Sequence, residues 1–241
     1  MARGFIEPGE KPRRFYRQVA VAPVNGGFGV RLDGRDLRAP RGTPLVLPTE
    51  ALAEQVAQEW AAQGERLELA DMHATRLANT AMESVPAARE ATADRVAQYA
   101  ASDLVCYFAE GPAPLVERQA RLWGPLLDRI AAEEGLSFVR AAGIVHQPQP
   151  PQTLAAIRAL ALGLDDFALA GLAFGAALFG SAVLAIALAR DWLTGPEALD
   201  LSRLDEAWQE ETWGVDAEAA ERTARLREEA AMLDRWFRAL G

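Results

Sequence analysis

The sequence has very little of the residue types that bind metals or form covalent bridges. Its 241 residues include one cysteine, Cys106, and two histidines, His73 and His146. A single cysteine excludes an intramolecular disulfide and any site built from several thiolates, and the histidines lack ligand spacing. We therefore expect no metal site. The histidines are predicted to be surface or hydrogen-bonded side chains, and Cys106 a buried, inert thiol.

Lysine is nearly absent as well, since Lys11 is the only one and arginine supplies the other basic side chains. Acidic residues outnumber basic residues by 34 to 25, which gives a formal net charge of −9. The positive charges are scattered rather than gathered in a stripe, so double-stranded nucleic acid is a poor partner. An acidic balance also keeps a protein in solution and repels anionic membranes.

Targeting signals and the motifs of common enzyme classes are missing too. The N-terminal residues have neither the apolar core of a signal peptide nor the Arg/Ser-rich, acid-poor composition of a transit peptide, which predicts the cytoplasm of a bacterium. The Gly-Gly-Phe-Gly run at 26–29 lacks the spacing of a nucleotide-binding loop. The chain also lacks a Gly-Lys-Ser/Thr element and a nucleophile elbow. We expect no cofactor and no small-molecule substrate.

One long uncharged run extends from Phe167 to Ala189. It is long enough to span a bilayer, but small residues make up more than half of it. A helix that is apolar on all sides is either buried in a protein or embedded in a membrane. We favour a buried central helix, in which Gly171, Gly175 and Gly180 let neighbouring helices approach closely, and keep a membrane anchor as an alternative.

Turn signals and strand propensities predict a β-rich start. Strands are expected over 15–22 and 28–32, joined by a turn at 25–27 whose glycines tolerate positive φ. Shorter strands are expected over 37–40 and 43–47, where prolines favour edge positions or strand ends.

Helical patterns take over after this region. We predict helices over 50–63, 71–84, 86–101, 112–134, 153–162, 165–190, 196–212 and 216–239. The sequence therefore predicts an α+β protein. Residues 1–69 form a small β-rich N-terminal domain with one packed helix, and residues 70–241 form a larger all-helical domain.

The most informative stretch is 201–214, whose sequence is Leu-Ser-Arg-Leu-Asp-Glu-Ala-Trp-Gln-Glu-Glu-Thr-Trp-Gly. Read as a helix, it places Leu201, Leu204 and Trp208 on one stripe that can be buried. The opposite side is acidic or polar and also carries an indole, and its residues are Asp205, Glu206, Gln209, Glu210 and Trp213. Trp208 is predicted to be structural because it lies on the buried stripe, and Trp60 and Trp123 are predicted to be structural because they lie on apolar helix faces.

Three interpretations of the acidic side are open. A run of carboxylates is usually a solvated helix face. Asp205 and Glu206 could instead act as general acid and base in a hydrolase. The third interpretation is a recognition surface, on which carboxylates meet arginine or lysine of another protein while Trp213 fills a pocket.

Short blocks spread over 13–216 resemble a known family. In order they are Arg14-Phe15-Tyr16 with Val19, Leu32-Asp33-Gly34-Arg35 with Leu37-Arg38, Glu59-Trp60 with Gln63, Thr75-Arg76-Leu77-Ala78-Asn79-Thr80-Ala81, Asp103-Leu104-Val105-Cys106-Tyr107, Arg118-Gln119 with Trp123 and Pro125, Leu201-Ser202-Arg203-Leu204-Asp205-Glu206, Trp208-Gln209 and Trp213-Gly214. In this combination the chain resembles the assembly chaperones of F-type ATP synthase that act on the α subunit of the catalytic head, found in mitochondria and α-proteobacteria. Ala39, Phe108 and Gly124 depart from the family pattern.

The resemblance implies a chaperone rather than an enzyme. Such a protein holds the unassembled α subunit and shields the surface that later meets the β subunit. The resemblance also implies a small β-rich domain followed by a helical domain, with no membrane span. We place partner binding on the acidic side of the 201–214 stretch, at Asp205, Glu206, Gln209, Glu210 and Trp213.

Overall fold

The structure is a computed structural model that describes residues 11–143, 145–214 and 217–241. A small N-terminal sheet is followed by an array of helices, so the predicted α+β class is confirmed. Buried residues of the sheet and of the helices belong to one continuous hydrophobic cluster. The division into domains 1–69 and 70–241 stays a prediction.

The sheet is built around an antiparallel hairpin. Strand β1 (Val19–Val24) pairs along its whole length with β2 (Gly27–Leu32), which also pairs with β3 (Arg35–Asp36) and β4 (Val46–Leu47). Glycine is required at the start of β2, because a Cβ on Gly27 would lie 2.2 Å from the carbonyl oxygen of Leu47.

The two later strands differ from the prediction, since β3 lies just before the predicted range 37–40 and β4 covers only the last two residues of 43–47. Within 37–44 the only ladder contact among the described residues is an isolated bridge between Arg38 and Pro44. Proline has no N–H to donate, so the ladder cannot continue there.

Helix α1 (Glu50–Ala61) covers the sheet with Leu52, Val56 and Trp60, all of which are buried. Thr49 is the N-cap of this helix, since its hydroxyl accepts a hydrogen bond from the N–H of Leu52. The helix ends two residues earlier than predicted.

The rest of the described chain is mostly helical. The helices are α2 (His73–Glu83), α3 (Val85–Ala101), α4 (Ala113–Glu134), α5 (Pro151–Gly163), α6 (Asp166–Phe179), α7 (Ala182–Ala189), α8 (Gly195–Ser202), α9 (Leu204–Trp213) and α10 (Ala217–Leu240). A 3-10 turn at Leu104–Cys106 leads into β5 (Tyr107–Phe108), which pairs in parallel with β6 (Ala141–Ala142). Residue 216, the predicted start of the last helix, lies outside the described residues.

Two predictions of single long helices are wrong. The helix predicted over 165–190 is broken into α6 and α7 at Gly180, whose φ of +63° is the left-handed conformation that glycine adopts easily. Ser181 then caps α7 by accepting from the N–H of Leu184. The helix predicted over 196–212 is broken into α8 and α9 at Arg203, where φ is −111° and ψ is 23°.

The break also bears on the membrane alternative. No helix in the described ranges is both long enough and apolar enough to cross a membrane. Helix α7 is instead buried from Ala182 to Leu188, and α6 packs against α10. The packing is close, because a Cβ on Gly171 would lie 3.0 Å from the rings of Trp236 and Phe237.

Helix α8 packs against α10 and leads directly into α9. A Cβ on Gly195, at the start of α8, would lie 1.9 Å from the carbonyl oxygen of Ala230. Only glycine permits this approach between two backbones. The contact fixes the point from which α9 projects.

Candidate recognition surface

Helix α9 is held against α4 by a few specific contacts. Leu204 is buried, and Trp208 is half-buried with the Arg118 guanidinium 5.0 Å from its ring centroid. Arg118 also donates to both carboxylate oxygens of Glu211, at 2.8 and 2.9 Å. Just before α9, the buried indole of Trp123 donates to the carbonyl of Leu201, near the end of α8, at 3.0 Å. One side of α9 is thus fixed to the body of the protein.

Asp205 stands at the border between this fixed side and solvent. It is half-buried and accepts a hydrogen bond of 2.6 Å from Nε2 of Gln119, a buried residue of α4. The oxygen of the same amide accepts from the N–H of Ala109 at 2.7 Å. Gln119 is therefore held at both ends, and it orients the Asp205 carboxylate.

The free side of α9 carries Glu206, Gln209, Glu210 and Trp213, which are spaced so that they share one helix face. We refer to these four residues, together with Asp205 at their border, as the α9 surface. Glu210 forms a long ion pair with Arg203, with 3.6 Å between nitrogen and oxygen. Within the described ranges, the side chains of Glu206 and Gln209 form no hydrogen bond or ion pair.

Trp213 is the most prominent member of the α9 surface. It is 79% exposed, more than any other large hydrophobic side chain in the described part of the chain. An exposed indole leaves a large apolar area in water, whereas in a complex it would fill a pocket of a partner. The combination of an exposed indole with unpaired carboxylates fits protein recognition.

The geometry does not support the hydrolase alternative. Asp205 lines a cleft with Tyr107 and His146, whereas Glu206 lines a different cleft with Arg222 and Glu229. A general acid and a general base must reach the same reacting group, and these two carboxylates open on separate spaces. In the ranges that the structure describes, no cluster of three or more potential ligands could hold a metal ion.

The remaining sequence candidates have local partners. Nδ1 of His73 lies 3.5 Å from a carboxylate oxygen of Glu229, and Nδ1 of His146 lies 3.0 Å from the Tyr107 hydroxyl. Cys106 is buried, and this burial raises the pKa of its thiol far above the usual range. The thiolate form is therefore strongly disfavoured.

Sequence reasoning missed the part played by Asp103, which lies in the interior between the 3-10 turn and the start of α7. Its carboxylate accepts hydrogen bonds from the Ser181 hydroxyl and from the N–H of Val183, the latter at 3.0 Å. Burial raises the pKa of Asp103 from 3.8 to about 6, although these hydrogen bonds oppose the change. The block at 103–107 marked Asp103 as part of the family resemblance, but it did not show that this carboxylate is buried and accepts hydrogen bonds at the start of α7.

The raised pKa of Asp103 predicts a pH-dependent contribution to stability. Between pH 4 and pH 6 the folded protein holds a proton that the unfolded chain has released, so stability falls as the pH rises. The loss amounts to about 3 kcal/mol once the pH has passed the folded-state pKa. Asp103→Asn removes this contribution. It also places an amide N–H2 group against N–H donors, so we expect a lower overall stability.

Urea unfolding of both proteins at pH 4, 5, 6 and 7 tests this expectation. The stability advantage of the natural chain over Asp103→Asn should be largest at pH 4 and should shrink toward pH 7. Carboxylates with lowered pKa values, such as Asp33 and Glu211, contribute the opposite slope equally to both proteins. An advantage that does not change with pH would show that Asp103 ionises as it does in water.

The chain has an α+β fold in which α9 exposes an indole beside Glu206, a carboxylate with no hydrogen bond or ion pair among the described residues. The sequence pattern of the ATP12 chaperone protein family matches residues 13–131. The mitochondrial protein atp12 of Schizosaccharomyces pombe is 25% identical over 225 residues, covering 87% of this chain and 76% of the yeast protein. Both matches point to the ATP12 chaperone family.

Solved structures agree with this assignment. Atp12 from Paracoccus denitrificans is 38% identical with a TM-score of 0.88, and the match covers 95% of this chain and 99% of that one. The Agrobacterium tumefaciens protein Atu1473 is 39% identical with a TM-score of 0.90, over 95% of this chain and 87% of that one. With relatives of this identity over nearly its whole length, the chain belongs to the ATP12 chaperone family, the ATP synthase assembly chaperones that its sequence blocks indicated. The family is described as one of chaperones and not of enzymes, which argues further against a hydrolase.

Proposed function

We propose that this chain binds the unassembled α subunit of the F-type ATP synthase catalytic head and shields the surface that later meets the β subunit. Membership of the ATP12 chaperone family supports the assembly role. The observation that carries the finer proposal is the α9 surface, where Trp213 is 79% exposed and Glu206 forms no hydrogen bond or ion pair with any described residue.

The chemistry of such a surface favours a basic and partly apolar partner. Exposed carboxylates gain most from arginine or lysine on the other protein, and complementary charge also speeds association. An indole that enters a pocket supplies the apolar anchor. Release needs no reaction, because the α subunit leaves when its contact with the β subunit is more favourable than its contact with the chaperone.

We also propose that this binding takes place in the bacterial cytoplasm, without nucleic acid or a lipid bilayer as partner. The net charge of −9 supports this part of the proposal, since anionic polymers and membranes would repel the chain.

A capture experiment with the purified α subunit tests the proposal. The immobilised natural chain should retain the α subunit, and the double variant Glu206→Lys with Trp213→Ala should lose most of this retention. Glu228→Lys, an exposed charge reversal on α10, is the matched control and should behave like the natural chain. If the natural chain retains no α subunit, the function is wrong. If the double variant retains as much as the natural chain, the site is wrong.

A further inference from the structure

A groove runs over α6 and ends at the α9 surface. Its first part lies between α2, α3 and α6, has a volume of about 490 Å³, and has a floor rich in small apolar residues. The floor residues are Ala88, Ala91, Ala170, Ala173, Phe174 and Ala177. Alanines in a concave wall leave room for larger apolar side chains from another molecule.

A second cleft continues the first one. It also has a volume of about 490 Å³, and it shares Phe174 and Ala177 with the first cleft. Its other wall includes Leu226 of α10, and Glu206 of α9 stands at its end. We call the two connected clefts the α6 groove. From Ala170 to Leu178 the floor helix rises about 12 Å, enough for roughly two turns of a bound helix.

The rim of the first cleft is opposite in charge to the α9 surface, because Arg76 and Arg95 line this cleft and no carboxylate does. The second cleft is mixed in charge, since Arg222 lines it together with Glu206 and Glu229. Of the described carboxylates, none forms an ion pair with Arg76, Arg95 or Arg222, and the Arg76 guanidinium donates a hydrogen bond to the carbonyl of Ala70, at 2.9 Å.

This lack of partners contrasts with the surrounding helices. There, most arginines have a carboxylate partner, namely Arg89, Arg118, Arg129, Arg140, Arg158, Arg190, Arg203, Arg225, Arg227 and Arg238. Among the arginines of the described helices, Arg121 and Arg235 also form no ion pair, but the first cleft brings two unpaired arginines together without a carboxylate in its lining. The rim therefore suits a ligand that carries carboxylates.

We infer that the α6 groove binds a segment of the client chain that is apolar on one side and carries carboxylates. The apolar side would lie on Phe174 and Ala177, and the carboxylates would pair with Arg76 and Arg95. Because the α9 surface at the other end is acidic, the two ends select opposite charges and fix the direction of the segment. The inference rests on the proposed function, since it names the part of the α subunit that this chaperone holds.

Two kinds of variant test the groove by the dissociation constant for the purified α subunit. Ala177→Trp fills the floor at an exposed helix position, and Arg95→Glu reverses an exposed rim charge. Each should weaken binding about tenfold or more. The matched controls are Ala224→Trp and Arg235→Glu, which make the same changes at exposed positions on α10 outside the groove, and both should bind like the natural chain.

The outcomes separate this inference from the proposed function. If the natural chain binds the α subunit and both groove variants bind equally well, the groove inference falls while the proposed function stands. If the natural chain does not bind the α subunit at all, the proposed function falls and the inference with it. If the chain alone forms a dimer in sedimentation that Ala177→Trp dissociates, the occupant is a second copy, and the inference is again wrong.

Discussion

Replacing Trp213 by alanine is expected to weaken binding of the α subunit by about 2–4 kcal/mol, or roughly 30- to 1000-fold in Kd. The reason is that the indole is 79% exposed in the free chain, so its apolar area is available for burial in a partner. The same exposure means that the folded chain gains little from the side chain. We therefore expect the free energy of unfolding to change by less than about 0.5 kcal/mol.

Calorimetric titration with the purified α subunit and urea unfolding of the free variant give the two quantities. Trp213→Phe keeps an aromatic ring and should retain part of the lost affinity. A variant that loses stability together with affinity would mean that the indole supports the fold. Unchanged affinity would remove Trp213 from the recognition surface.

Replacing Trp236 by alanine is expected to have the opposite pattern, with a loss of about 3–5 kcal/mol in the free energy of unfolding. Trp236 is fully buried, stacks on Phe167 at a centroid distance of 6.0 Å, and donates its indole N–H to the Phe167 carbonyl at 3.1 Å. Truncation leaves a cavity between α6 and α10 beside Gly171, whose lack of a side chain already fits this ring.

The two tryptophan variants serve as controls for each other, since the chemical change is the same. Folded Trp236→Ala, measured at low temperature, should bind the α subunit with nearly the natural affinity, because its site lies in the interior. The thermal midpoint should fall by roughly 3 °C for each kcal/mol lost. A small change in stability would contradict the packing of α6 on α10.

Local signals predicted much of the fold. The glycines after Asn25 predicted the hairpin, because a tight turn between strands needs positive φ, and Gly26 has a φ of +89°. The four-residue spacing of Leu52, Val56 and Trp60 is a pattern of the same local kind, and these residues form the face of α1 that covers the sheet. Periodicity and capping residues act within a few positions, so the sequence alone shows them.

The breaks in the two long helices could not be predicted in the same way. The 167–189 run has no polar face, so its periodicity cannot show where one helix stops. It contains three glycines, and only Gly180 adopts the left-handed conformation. The break at Gly180 is supported by Asp103, whose carboxylate accepts a hydrogen bond from the Ser181 hydroxyl at the start of α7. These two residues are 78 positions apart in the sequence.

The candidate site was predictable as a set of residues but not as a set of contacts. Spacing placed Glu206 and Trp213 on one face of α9, where the structure has them exposed. The hydrogen bond from Gln119 to Asp205 joins residues 86 positions apart, and the pairing of Arg118 with Glu211 joins residues 93 positions apart. No local pattern encodes such contacts, and they decide which carboxylates are free.

The most direct measurement is photo-crosslinking from the position of Trp213 itself. Benzoylphenylalanine, an aromatic side chain in place of this indole, would be irradiated in the presence of the purified α subunit, with and without the β subunit. We predict a crosslink to the α subunit, mapped by mass spectrometry to the surface that contacts β, and its loss when β is added. A crosslink elsewhere on α that persists with β present, or no crosslink to α at all, would contradict the account.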